Sequence, residues 1–90
     1  MREATIRVTN TLGLHARAAA RLVRLAATFN SSVKLRRVGA DSEANAKDIL
    51  SVLSIAAGRG VVLQIIVDGA DENDAIQQIT KLFTDNFGEN

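Results

Sequence analysis

The feature that most constrains the fold is the aliphatic run of residues 61–67. Six of its seven residues are Val, Leu or Ile, and Gln64 is the polar exception. Glycine-containing turns bound the run on both sides, at residues 58–60 and 68–69. A short apolar run between turns predicts an internal strand of a sheet, with helices covering one of its faces.

Three further segments show the two-residue alternation of half-buried strands. In residues 4–9, Ile6 and Val8 share one face and polar residues share the other. Residues 33–38 alternate in the same way, and residues 42–45 follow a glycine-containing turn. The sequence therefore predicts four strands.

Three segments have apolar residues at the three- and four-residue spacing of helices. Residues 16–29 predict an amphipathic helix with arginines on its polar face, and residues 47–57 predict a second helix with surplus apolar surface. The third helix begins at the acidic and capping residues 71–74 and continues through Phe83. We expect residues 84–90 to fray.

The elements follow the order strand, helix, strand, strand, helix, strand, helix (βαββαβα). This order predicts an α+β fold with one mostly antiparallel sheet and helices packed on one face. Ninety residues suffice for one modest hydrophobic core, so we expect residues 1–90 to form a single domain.

Composition excludes several classes of function. The chain has no cysteine, which excludes a disulfide framework, a thiolate metal site and a catalytic thiol. Its net charge of +1 gives no overall field that would favour nucleic acid, so any basic surface must be local. The chain also lacks Trp and Tyr, so no stacking platform for bases is indicated. The sequence has no apolar run near the roughly 20 residues that span a bilayer and no signal-peptide pattern, so we expect a cytoplasmic protein without membrane insertion.

The single histidine of the chain lies where the first strand gives way to the first helix. His15 is a poor N-cap residue, and Arg17 places a cation at the positive end of the helix dipole. A bound anion would account for both residues at the start of this helix, because helix N–H groups and a guanidinium hold phosphate oxygens. An imidazole there can also attack phosphorus near neutral pH. These local features leave open the plainer interpretation, a surface histidine beside a solvated polar face.

Four motifs at characteristic distances extend this local pattern over nearly the whole chain. They are Thr9-Asn10 with Gly13 to Arg17 around the histidine, Asn45 to Lys47, Gly58 to Gly60, and Gly69 to Ala75. Together with the length of the chain, they resemble the HPr family of histidine-containing phosphocarrier proteins of the phosphoenolpyruvate-dependent phosphotransferase system, including its nitrogen-branch relatives.

The resemblance implies an open-faced β-sandwich with the sheet order 1-4-2-3. It also implies that Nδ1 of His15 accepts a phosphoryl group from enzyme I and passes it to an enzyme IIA-type protein. Arg17 would hold the phosphoryl oxygens, together with the backbone N–H groups of Ala16, Arg17 and Ala18. The protein would then be a monomeric phosphocarrier rather than a stand-alone enzyme, and would need no cofactor and no metal.

The resemblance further implies that both partners dock on the region around the histidine and on the second helix. The residues assigned to docking are Leu14, Ala20, Arg21, Arg24, Ile49, Leu50 and Leu53. Residues 49, 50 and 53 would supply an apolar centre, and the arginines a basic rim that attracts acidic partner surfaces. The alternative, that Leu50 and Leu53 are core residues, stays open.

Two positions depart from the family pattern. Ala18 follows the arginine where most members have proline, and the loss of that rigid ring is expected to loosen the first helical turn. Asp48 stands where many members carry a regulatory serine, so the usual serine kinase has no substrate there. Asp48 either caps the second helix or mimics phosphoserine.

Two other functions compete with phosphotransfer. One is a regulatory protein-binding module of the same fold, in which phosphotransfer is weak or vestigial. The other is a small nucleic-acid or ligand-binding domain, which the absence of Trp and Tyr disfavours.

Overall fold

The computed structural model describes residues 1–89, which form four strands, three α-helices and a terminal 3-10 turn. In chain order the elements are β1 (Arg2–Arg7), α1 (Ala16–Ala26), β2 (Ser32–Arg37), β3 (Glu43–Asn45), α2 (Ile49–Ser54), β4 (Val62–Asp68), α3 (Glu72–Thr84) and the 3-10 turn (Asn86–Gly88). The strands form one antiparallel sheet in the order β1-β4-β2-β3. The expected α+β class, element order and open-faced sandwich are confirmed.

Strand β4 lies inside the sheet because it pairs with β1 on one side and with β2 on the other. Its alternate residues Leu63, Ile65 and Val67 are fully buried in the core. On the opposite, open face of the sheet, Ile66 lies between Glu3 of β1 and Lys34 of β2. The prediction of an internal strand from the aliphatic run is therefore confirmed.

The helices form the second layer, and α1 lies at its centre. Helix α1 contacts both α2 and α3, while α3 also packs on β1 and β4. Leu22 of α1 and Ile79 of α3 are completely buried. Because truncating such a residue to alanine costs about 2–5 kcal/mol, this packing fixes the position of α1 and of the residues at its N-terminus. No helix within residues 1–89 is both long and apolar enough to cross a lipid bilayer.

Two helices are shorter than their apolar spacing predicts. Helix α1 ends at Ala26 rather than at residue 29. Helix α2 covers only part of residues 47–57, because it begins after the cap residue Asp48 and ends before Ala56. The φ angle of Ala56 is 53°, a left-handed conformation that an α-helix cannot continue through.

Residues 86–89, which we name the C-terminal hook, turn back onto the core. The prediction that residues 84–90 fray is therefore wrong for the described part; Asn90 lies outside the described residues. Asn86 and Phe87 adopt left-handed φ angles of 55° and 58°. The ring of Phe87 is 1% exposed and meets Phe83 edge-on, with 4.8 Å between ring centroids. Losing a buried Phe costs about 3–5 kcal/mol. Two left-handed residues together cost roughly 2–4 kcal/mol, and less here because asparagine tolerates this conformation, so burial of Phe87 offsets the strain.

Candidate active site

His15 is the N-cap residue of α1. Its backbone is extended, with φ −74° and ψ 178°, and its carbonyl oxygen accepts the first helical hydrogen bond from Ala19 at 2.8 Å. The backbone N–H of Arg17 donates to Nδ1 of His15 over 3.4 Å. Because an amide N–H can only donate, Nδ1 presents its lone pair, and the neutral ring carries its proton on Nε2.

The protonated nitrogen of this ring faces a carboxylate. Nε2 of His15 lies 2.9 Å and 3.1 Å from the two carboxylate oxygens of Glu89. The side chains are 23% and 15% exposed, respectively, so the pair is only partly screened by solvent. The hydrogen bond from His15 and a further one from Asn10 hold the pKa of the Glu89 carboxyl below its usual range.

The turn before His15 is fixed by close backbone packing. Gly13 has φ +67°, and a Cβ at this position would lie 2.6 Å from the carbonyl oxygen of Ala57. The next residue, Leu14, donates its N–H to the same carbonyl oxygen at 2.8 Å. The side chain of Asn10 is buried and donates to the carbonyl oxygen of Gly13 at 2.7 Å. These contacts set the position of the histidine from both sides of the turn.

The N-terminus of α1 has the electrostatic character of an anion site. No acidic residue lies in its first turn, and the first N–H groups of a helix lack intrahelical partners. Arg17 is exposed, and within residues 1–89 its guanidinium forms no hydrogen bond or ion pair with another side chain. It lines a shallow depression beside the histidine with Thr11, Leu12, Arg21, Gly88 and Glu89. The site thus combines a ring lone pair that accepts one long hydrogen bond of 3.4 Å, further N–H groups without intrahelical partners, and an available cation.

The two alanines of the phosphoryl-binding prediction differ in their surroundings. Ala16 is exposed at the first position of α1, whereas the side chain of Ala18 is completely buried in the core. Only the backbone N–H of Ala18 is therefore relevant to a bound anion.

The residues assigned to docking fall into two groups. Leu50 is 75% exposed, and Ile49 and Leu53 are each 37% exposed, so the alternative that Leu50 and Leu53 are core residues is wrong. Arg24 is exposed, and Ala20 and Arg21 are half-buried on the adjacent helix α1. Leu14 differs, because it is only 5% exposed. Its side chain packs in the core and offers almost no surface to a partner, which corrects its assignment to docking.

Asp48 caps helix α2. Its Oδ1 accepts hydrogen bonds from the backbone N–H groups of Leu50 at 3.1 Å and Ser51 at 3.4 Å. The residue has an extended backbone, with φ −123° and ψ 114°, as an N-cap requires. The structure thus gives Asp48 a structural role in the helix it precedes.

Glu89 is the residue of this site that the sequence prediction missed. It lies in the segment that was expected to fray, and nothing in its local pattern links it to His15. The available signal was the apolar Phe87, which continues the spacing of Ile79 and Phe83 beyond the predicted helix. An aromatic residue in that register indicates that the chain stays on the core.

Comparison with known proteins agrees with this geometry. Residues 2–85 match the family described as "PTS HPr component phosphorylation site". Phosphocarrier protein HPr of Xylella fastidiosa (strain Temecula1) is 44% identical over 89 residues, which cover 99% of this chain and 98% of that protein.

Two solved structures from Thermoanaerobacter tengcongensis share the fold. The crystal structure of HPr-C-His has a TM-score of 0.94 at 36% identity, covering 100% of this chain and 99% of that one. A crystal structure of an HPr dimer has a TM-score of 0.77 at 36% identity, covering 99% of this chain and 100% of that one. The sequence match over nearly the whole length and the shared fold show that the chain belongs to the HPr family of the phosphotransferase system.

Proposed function

We propose that this protein is a phosphocarrier that accepts a phosphoryl group on Nδ1 of His15 from enzyme I and passes it to an enzyme IIA-type protein. The observation that carries the proposal is the hydrogen bond from the Arg17 N–H to Nδ1 of His15. It requires a lone pair on the nitrogen that faces the N-terminus of α1, where an incoming phosphoryl group would find unpaired N–H groups.

Each group around Nδ1 has a part in this transfer. The Arg17 N–H releases Nδ1 as the phosphoryl group arrives, and the freed lone pair attacks phosphorus. The Arg17 guanidinium pairs with the phosphoryl oxygens as negative charge shifts among them. The N–H groups of Ala16, Arg17 and Ala18 supply further donors. Because the histidine is 23% exposed and the depression is shallow, a second protein can approach the same phosphorus and remove it.

Both partners would dock on a surface formed by α1 and α2, which we name the docking surface. Its members are Ala20, Arg21, Arg24, Ile49, Leu50 and Leu53. The apolar part of this surface is supplied by the exposed residues of α2, and Arg24 adds an exposed cation at its edge. Such a surface fits a partner with an apolar centre and an acidic rim.

Asp48 replaces the regulatory serine in this proposal and acts as a helix cap. Its Oδ1 already accepts two N–H groups of α2, which accounts for its presence without phosphoserine mimicry. The carrier would therefore lack control by a serine kinase and remain available to enzyme I at all times.

The proposal is tested by incubating the purified protein with phosphoenolpyruvate and enzyme I. Intact-mass spectrometry should show the gain of one phosphoryl group that is lost in acid, and His15→Ala should show no gain. His15→Ala is a suitable probe because the ring is partly exposed and Ala19 still bonds to the backbone carbonyl. Absence of any mass gain in the wild-type protein would refute the proposed function.

We further propose that residues 1–90 act as one domain and as a monomer in the cytoplasm. The described residues 1–89 share one sheet and one continuous core, which supports a single domain. A related HPr has been crystallised as a dimer, so the oligomeric state needs its own measurement. Sedimentation analysis should give the mass of a single chain, and a concentration-independent dimer would contradict the monomer.

A further inference from the structure

The carboxylate of Glu89 contacts the side of the His15 ring opposite the nitrogen that carries the phosphoryl group in the proposed function. Its oxygens lie 2.9 Å and 3.1 Å from Nε2. Nδ1 accepts the N–H of Arg17, so the neutral ring holds its proton on Nε2 and donates it to the carboxylate. Each ring nitrogen thus has one partner, and both partners favour the same tautomer.

The C-terminal hook holds this carboxylate in place. Phe87 is buried in the core, and its carbonyl oxygen accepts a hydrogen bond from the Arg21 guanidinium. The Thr9 hydroxyl donates to the side-chain carbonyl of Asn86, which ties the hook to the segment that follows β1. Asn10 donates to Oε1 of Glu89 at 3.2 Å. The position of the carboxylate is therefore determined by contacts independent of the histidine.

We propose that Glu89 is a positioning residue for phosphotransfer and acts through Nε2 of His15. This inference rests on the proposed function and adds a residue to it. The hydrogen bond orients the ring so that the lone pair of Nδ1 points toward the anion site at the start of α1. A rotation about the Cβ–Cγ bond would break the bonds at both nitrogens at once.

The charge balance of the transfer gives the carboxylate a second effect. When the Nδ1 lone pair forms the new N–P bond, the bond between phosphorus and the donor atom of enzyme I breaks, and its electron pair stays with that donor atom. The Nε2 proton remains on His15, so the ring becomes a phosphoimidazolium cation. The negative charge of Glu89 neutralises that cation without any proton transfer.

Onward transfer reverses the same changes. The N–P bond breaks as the acceptor attacks phosphorus, its electrons return to Nδ1, and the ring becomes neutral again with its proton still on Nε2. Positive charge on the ring builds up during phosphorylation. The carboxylate therefore stabilises the transition state more strongly than it stabilises the unphosphorylated protein. A neutral acceptor in its place would keep the orientation but lose the charge compensation.

A kinetic experiment separates these effects. Glu89→Gln keeps an acceptor for Nε2 and removes the charge, whereas Glu89→Ala removes both. Asp85→Asn is the matched control, because Asp85 precedes the hook, is exposed, and has no hydrogen bond or ion pair from its side chain within residues 1–89. In rapid-quench assays with phosphorylated enzyme I, we expect Glu89→Gln to lower the maximal transfer rate about tenfold at an unchanged KM, and Asp85→Asn to leave both values unchanged.

A second measurement needs no partner protein. The ¹⁵N shifts of the His15 ring in the unphosphorylated protein show which nitrogen carries the proton. We expect the Nε2-protonated tautomer in the wild-type protein and in Glu89→Gln, and an increased fraction of the Nδ1-protonated tautomer in Glu89→Ala. Thermal unfolding of Glu89→Ala serves as the control for stability. If the variant unfolds at the wild-type temperature and its tautomer ratio still changes, a purely structural role of the hook cannot explain the change.

The possible results distinguish the two proposals. Equal transfer rates in the wild-type protein and Glu89→Gln, an equal loss of rate in Asp85→Asn, or an unchanged tautomer ratio in Glu89→Ala would overturn the role of Glu89. If the wild-type protein accepts no phosphoryl group from enzyme I, the proposed function fails instead. The tautomer measurement would then still test whether Glu89 positions the ring.

Discussion

The carboxylate of Asp71, at the start of α3, binds the backbone and the hydroxyl of Ser31, just before β2. Its Oδ1 accepts the Ser31 N–H at 2.9 Å and also the Ser31 hydroxyl. Its Oδ2 accepts the N–H of Asn30 at 2.8 Å. The bonds from the Ser31 hydroxyl and the Asn30 N–H hold the pKa of Asp71 below its ordinary value of 3.8.

We predict that Asp71→Asn lowers the free energy of unfolding at neutral pH. A folded-state pKa below the unfolded value means that the carboxylate stabilises the fold above pH 3.8, and that this contribution is lost as the pH falls through the lowered pKa. The difference between wild type and variant should therefore shrink in acid, which urea unfolding at about pH 7 and about pH 3 will show. Asp41→Asn, at an exposed loop position, should change neither value; a difference independent of pH would contradict the prediction.

We predict that Asp48→Ala destabilises the protein by about 1 kcal/mol, because the N-terminus of α2 loses its cap. Asp48→Asn and Asp48→Ser keep a capping oxygen and should stay within about 0.5 kcal/mol of the wild-type protein. Since Asp48 acts as a cap, neither of these two variants should change the rate at which enzyme I phosphorylates His15. Faster phosphorylation of both would instead indicate that Asp48 mimics phosphoserine.

We predict that Leu50→Ser weakens docking without weakening the fold. Leu50 is 75% exposed on α2, so its replacement should change the free energy of unfolding by less than about 0.5 kcal/mol. The KM for phosphorylation by enzyme I should rise about tenfold, because the proposed interface loses the apolar area of Leu50 near its centre and about 1.4 kcal/mol corresponds to a tenfold change in affinity. Val38→Ser is the matched control: Val38 is 54% exposed, lies outside the docking surface, and should leave KM unchanged.

We predict that Gly13→Ala is more destabilising than Gly39→Ala, although both glycines have left-handed φ angles, of 67° and 87°. The added Cβ at Gly39 meets open space, whereas at Gly13 it would lie 2.6 Å from the carbonyl oxygen of Ala57. The clash should add about 1–3 kcal/mol to the common conformational cost. Urea unfolding of both variants measures the difference, and equal losses would show that the turn before His15 adjusts freely.

The local sequence pattern correctly predicted those elements whose structure depends on residues that are neighbours in the sequence. The aliphatic run predicted β4 to within a residue at each end, and the poor cap His15 with the misplaced cation Arg17 predicted an unusual helix start. The end of α2 was not predictable in this way, because it depends on left-handed Ala56, whose carbonyl accepts a bond from Arg37 of β2. Contacts of this kind join residues that are distant in sequence.

The largest omission was the pairing of Glu89 with His15, which are 74 positions apart. It depends on the packing of α3 against the sheet and on the burial of Phe87 against Phe83, which are tertiary contacts. A frayed end and a hook have similar local composition, so the distinction depends on the tertiary core. The surroundings of Nδ1 were therefore predictable, because they come from residues next to His15 in the sequence. The surroundings of Nε2 were not, because they come from the distant residue Glu89.

The face of the sheet that no helix covers is a suitable place to attach a label or a solid support. His15 and the docking surface belong to the helical layer, whereas the outward side chains of β2, such as Lys34, project from the other side. Because the chain contains no cysteine, Lys34→Cys would introduce a unique thiol for a fluorophore or a solid support. A protein immobilised through that thiol would present its whole helical layer to solution.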